Sequence, residues 1–175
     1  VELGESEVLG FEAGGIAHRI ALSGIYADFD RECLISDIQK ICRTELAMFP
    51  APAPFKEYLF LLHLGDKIYG GLEHISSTAL LADRNSLPAY GMNDAGDDYT
   101  QLLGLFSHEY FHAWNVKSIK PAAFVPYRLD SESYTEQLWA FEGITSYYDD
   151  LFLVQSGVIS TEAYLKLLAK ALTRV

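Results

Sequence analysis

"SHEYFHAWN", Ser107 to Asn115, decides how this chain is to be read, because it holds two of its five histidines and a glutamate within nine residues. On a helix, four residues advance about 400°, so His108 and His112 leave the same face about one turn apart and can share one ion. Glu109 points beside that face. The surroundings are apolar: "LLGLF" (102–106) precedes the motif, and Tyr110, Phe111 and Trp114 lie within it. An exposed helix does not carry such flanks. A buried His-Glu-His face needs polar partners, and a cation supplies them. The helix therefore reads as a metal-bearing element around which the rest of the fold is built.

H-E-x-x-H is the arrangement of zinc peptidases, in which two imidazoles hold the ion and the glutamate accepts the proton of the attacking water. A hydrolytic zinc site wants a third protein ligand and an open position. The metzincin pattern would need glycine at 115 and histidine at 118, where this chain has Asn115 and Ser118. Three downstream glutamates remain: Glu132, Glu136 and Glu142. Spacing favours Glu132, with nineteen residues between it and His112, as in thermolysin-like enzymes. Context favours Glu142, in the apolar stretch "LWAFEGITSYYDD", where burial beside Trp139, Phe141 and Ile144 calls for a positive partner. Glu132 reads as an ordinary carboxylate in a helix's first turn.

Working outward, residues 17–25 read as a strand. A helix follows from Asp28 or Asp30, with Phe29, Leu34, Ile38, Ile41, Cys42 and Phe49 at helical spacing. Pro50, Pro52 and Pro54 end it. Strands are expected at 57–64, 68–75 and 77–83. The motif helix begins at a cap on Asp97 or Asp98 and runs to about Val116, a long helix covers Ser133 to Gln155, and a last one starts at Ser160 or Thr161. The order β-α-β-β-β-α-α-α is α+β: a small antiparallel or mixed sheet with the active-site helix, then a helical lobe. The chain of 175 residues suits one catalytic-domain fragment, about 11–96 mainly sheet and about 97–175 helical. It opens at Val1 without an initiator methionine, a sign of a piece of a longer protein.

Together, "HEYFHAWNVKSIKP" (108–121), "LWAFEGITSYYDDL" (138–151) and "YGGLEHISST" (69–78) resemble the glycyl aminopeptidase family of zinc metallopeptidases, M61. The second is also similar to the W-x-x-E-G stretch of the related M1 aminopeptidases. The likeness runs from about Phe11 to Leu172. It implies a thermolysin-like zincin domain with one zinc per chain, held by His108, His112 and Glu142, with Glu109 as general base. It also implies an N-terminal β-domain and a C-terminal PDZ domain in the parent protein. By the same resemblance Gly70, Gly71 and Glu73 bind substrate: the glycines let an extended peptide approach a strand edge, and Glu73 takes the peptide's free amine. The family name implies small first residues, glycine or alanine. Tyr134, eight residues before Glu142, is the candidate oxyanion donor.

One position departs from the thermolysin-like pattern. The aspartate that orients the first histidine is expected four residues after the third ligand, where this chain has Ser146; Asp149 and Asp150, a turn later, can serve in its place or as easily form a solvated acidic helix face. Asn115 and Lys117 match the family's W-N-x-K without an evident role. His18 and His63 read as structural histidines, and Cys33 and Cys42 as small core residues rather than a disulfide.

With a formal net charge of −11, the surface disfavours nucleic acid and anionic membranes and suits a peptide with a free amine. No apolar run is long enough to span a bilayer. The leading expectation is a zinc aminopeptidase. A zinc endopeptidase and a non-catalytic peptide-binding module are the alternatives, and the oligomeric state is open.

Overall fold

The computed structural model describes residues 4–92, 94–128 and 130–173. Five strands, β1 (Glu7–Ala13), β2 (Ile16–Gly24), β3 (Glu57–Gly65), β4 (Gly70–Glu73) and β5 (Ser77–Asp83), form one sheet in the order β1-β2-β3-β5-β4. The helices are α1 (Arg31–Met48), α2 (Asp97–Phe111), α3 (Ile144–Gln155) and α4 (Thr161–Leu172). A π-helical turn, Trp139–Gly143, leads directly into α3.

The sheet is mixed. β2, β3 and β5 run parallel, and β1 and β4 are antiparallel edge strands. Alternation decides which face is covered: Tyr58, Phe60, Leu62 and Leu64 of β3 and Thr78, Leu80 and Ala82 of β5 all point into the core. All but Thr78 join Leu34, Ile38 and Ile41 of α1 and Leu102, Leu103, Phe106 and Tyr110 of α2 in one apolar cluster. Each such large side chain contributes about 1.5–3 kcal/mol by leaving water.

Several expectations change. β1 was not anticipated, since Gly10 and its glutamates weaken the strand signal of "EVLGFEA". It exists because Gly14 and Gly15, at φ +58° and +78°, make the two-residue turn that pairs Ala13 with Ile16. The strand expected over 68–75 shrinks to β4. Asp30 caps α1, accepting from the Cys33 amide at 3.0 Å, but α2 is capped by Gly96 with Asp97 and Asp98 in its first turn, and it ends at Phe111 rather than near Val116. The helix expected from Ser133 begins only at Trp139; the polar run before it is irregular. Ser160 caps α4 as expected, accepting from Ala163. Among the described residues no helix is long and apolar enough to cross a membrane.

Candidate active site

α2 carries Glu109 and His108 in its last turn, and His112 is its C-cap. His108 Nδ1 lies 2.9 Å from Asp149 Oδ2 on α3, and His112 Nδ1 lies 2.9 Å from the Asn115 carbonyl. A carboxylate and a carbonyl only accept, so both Nδ1 atoms carry hydrogens. In neutral rings both Nε2 atoms are then lone pairs, and they face each other at 3.1 Å. Glu142 completes the group, with its carboxylate oxygens 3.3 Å from His108 Nε2 and 3.8 Å from His112 Nε2. Three acceptors this close demand a positive charge among them, either a proton or a metal ion.

Burial disfavours charge on His108, but the hydrogen bond and charge of Asp149 outweigh it and raise its pKa. His112 moves the other way, burial outweighing its bond to the Asn115 carbonyl. The donor set also fits a metal. One atom from each of His108, His112 and Glu142 lies within 4.8 Å of the others. Tetrahedral zinc with ligands at about 2.0–2.1 Å spans donor–donor edges of about 3.3 Å, close to the separations seen here.

Glu142 gets there differently from the sequence argument. Its side chain is 51 % exposed, and its neighbours Trp139 and Ile144 are exposed as well, so apolar burial is not what sets it apart. The π turn aims it, and Asn115 holds that turn: its Nδ2 donates to the Ala140 carbonyl at 3.0 Å and to Thr145 Oγ1 at 3.1 Å. Asn115 therefore links the tautomer of His112 to the segment bearing Glu142. Its place in the W-N-x-K motif was the only sequence signal for this. Glu132 and Glu136 are exposed and outside the group. Tyr134 is 81 % exposed with its hydroxyl on Glu132, and no described hydrogen bond brings it to the histidines.

Glu109 is buried under β4. Its Oε2 has no hydrogen-bond partner, and a Cβ on Gly71 would come within 2.1 Å of its Oε1. A side chain at 71 would force Glu109 or the strand edge to shift. Burial, with Glu73 and Glu142 adding to it against His108, pushes the Glu109 carboxyl up to about 7. Glu73, on the same edge strand, faces the site closely enough for its charge to act on both Glu109 and His112. It is already paired: Lys117 Nζ is 3.0 Å from its Oε1. Burial alone would raise the Glu73 carboxyl, but its own backbone amide and Lys117 outweigh burial and hold it low. Gly70 precedes it on the open edge of the sheet.

Asp149, not the residue at position 146, meets His108. His18 is a satisfied core histidine, bonded to the Ile16 carbonyl at 2.8 Å and the Tyr110 hydroxyl at 2.9 Å, and His63 contacts Ser23 Oγ at 3.0 Å. Cys33 and Cys42 are free, and Cys42 is buried.

A mixed sheet with a His-Glu-His helix against its edge, and a glutamate from a later helical segment, is consistent with a peptidase domain. Residues 101–175 match the family model of the M61 glycyl aminopeptidase. Among solved structures the chain is similar to an aminopeptidase N family protein from Idiomarina loihiensis, at 47% identity and a TM-score of 0.90. That likeness covers 94% of this chain and 28% of that one, so the chain spans little more than a quarter of that relative's length. No curated protein sequence matches it. The chain belongs to the M61 glycyl aminopeptidase family.

Proposed function

We propose that this chain is the catalytic part of a zinc-dependent aminopeptidase that removes small N-terminal residues, glycine or alanine, from peptides. The observation that carries this reading is the convergence of two Nε2 lone pairs and the Glu142 carboxylate on the helix bearing the buried Glu109. His108, His112 and Glu142 would hold the ion. Bound there, zinc supplies Lewis-acid polarisation of the scissile carbonyl and a more acidic water. Glu109 would take the proton of the attacking water and pass it to the leaving amine, from its place beside the ligand face of α2. The bare edge at Gly70 and Gly71 receives the peptide backbone. Glu73 binds the terminal ammonium through lone pairs not taken by Lys117, which favours an exopeptidase over an endopeptidase.

The test is hydrolysis of glycine and alanine 4-nitroanilides by the zinc-loaded protein, with N-acetylated counterparts beside them. Release from the free amines alone supports the proposal. Cleavage of both makes the protein an endopeptidase, and no turnover with zinc bound leaves a peptide-binding module.

Replacing Glu73 by Gln removes one charge-assisted bond to the substrate amine, worth about 1.5–3 kcal/mol, so KM rises by about 10–100-fold with kcat less affected. An unchanged KM in steady-state kinetics would place amine recognition elsewhere. Replacing Asn115 by Ala keeps the backbone acceptor for His112 but frees the π turn. Zinc affinity falls by about 10–100-fold, read by competition with a chromogenic chelator. Wild-type affinity would show that the turn holds its shape without Asn115.

A further inference from the structure

A buried chain of hydrogen bonds reaches the candidate metal centre through Asp149. Glu45, in the last turns of α1, and Ser107, the residue before His108, are both fully buried. Ser107 Oγ is 3.0 Å from Glu45 Oε1 and 3.0 Å from the Asp149 carbonyl. The side chain of that same Asp149 receives His108 Nδ1.

A hydroxyl has one hydrogen to give. Were Glu45 ionised, Ser107 would face two acceptors and could satisfy one. The backbone carbonyl of Asp149 can never donate. One arrangement satisfies both contacts: Glu45 carries a proton and donates to Ser107 Oγ, and Ser107 donates to the Asp149 carbonyl. The surroundings agree, since burial and the nearby charge of Asp149 both disfavour a carboxylate at 45. Its other oxygen, Oε2, has no partner. For packing alone, a leucine or methionine at 45 would avoid leaving a polar atom unsatisfied in the core. The acid needs a purpose beyond filling space.

We propose that Glu45 and Ser107 are positioning residues for the metal centre, a hydrogen-bonded relay across α1, α2 and α3 that holds Asp149 where its carboxylate orients His108. The inference rests on the metal-centre reading above. It explains how an aspartate at 149 serves this histidine: its backbone is tied to the residue adjoining the one its side chain orients. Ser107 and His108 leave α2 about 100° apart, so the two contacts grip Asp149 from different directions.

The experiment measures zinc affinity by chelator competition, and the visible spectrum of the cobalt-substituted protein, for Ser107→Ala, Glu45→Leu and Glu45→Gln. Asp149→Asn and His112→Ala are controls, and folding is followed by circular dichroism. Ser107→Ala and Glu45→Leu are expected to weaken zinc binding by about tenfold and to shift the cobalt bands, because His108 loses its fixed orientation. Glu45→Gln has an amide N–H that donates to Ser107 as the acid does, and it keeps affinity within about twofold of wild type. Glu45→Leu separates positioning from packing, since an apolar side chain there leaves stability equal or higher while metal binding weakens. Breaks at two separate residues keep the test decisive if one variant does not fold. Wild-type affinity and spectrum in Ser107→Ala and Glu45→Leu, with weakened binding in Asp149→Asn, overturn the relay alone. Undiminished binding in Asp149→Asn and His112→Ala as well would overturn the metal centre, and the relay with it.

Discussion

On the proposed mechanism, replacing Glu109 by Gln is expected to lower peptide hydrolysis by about 10²–10⁴-fold while zinc content stays that of the wild type, because the amide keeps the shape and loses the ability to accept a proton. The setting of the carboxylate makes the expectation specific. It is buried, one oxygen has no partner, and the edge of β4 lies against it at Gly71. Nothing about the ligands changes, so a loss of turnover together with a loss of zinc would mean the variant had damaged the site rather than removed a base. Undiminished turnover would remove Glu109 from the mechanism.

The same substitution has a signature in the metal-free protein. The Glu109 carboxyl moves from 4.5 to about 7 on folding, so its contribution to stability is fully present below about 4.5 and is lost as pH rises through about 7. A shift of this size corresponds to roughly 3 kcal/mol. Thermal melts of the wild type should therefore fall between pH 5 and 8 by more than those of Glu109→Gln. Parallel profiles would show that the carboxylate meets a compensating charge on folding.

On the proposed zinc reading, replacing His112 by Ala is expected to take bound zinc from about one per chain to a tenth or less, since two ligands rarely hold the ion against its release to water and chelators. His112 is the more constrained of the two histidines, 2 % exposed and tied through Nδ1 to the Asn115 carbonyl. Elemental analysis after dialysis measures the loss directly. Linkage gives a second readout: free zinc at about 100 times Kd stabilises the folded wild type by about 2.7 kcal/mol, and the variant loses that increment. Zinc retained in the variant would place the ligands elsewhere in the chain.

What the sequence determined by itself is what depends on local periodicity. His108 and His112 share a face because helix geometry puts residues four apart on one side, and Glu109 points beside it. The strands at β3 and β5, the aspartate cap (Asp28 or Asp30, of which Asp30 serves) and the prolines after α1 are equally local, and each matches the structure. Outside that range the sequence left choices open or misread them. β1 depends on pairing with β2 across two glycines, and no property of "EVLGFEA" alone makes it a strand. Three glutamates competed for the third position near the histidines. Glu142 stands beside them because a π turn, held by Asn115 from the α2 side, points it there. Spacing favoured Glu132 and presumed burial singled out Glu142; neither places it. The partner of His108 is Asp149, three residues later than expected, and Lys117 meets Glu73 across 44 positions of chain. Glu45, which reads as one more polar residue of an amphipathic helix, is buried against Ser107, 62 residues away. These are polar contacts between elements far apart in the chain. Their geometry follows from how helices and sheet pack, and packing is a property of the whole cluster that no window of sequence contains.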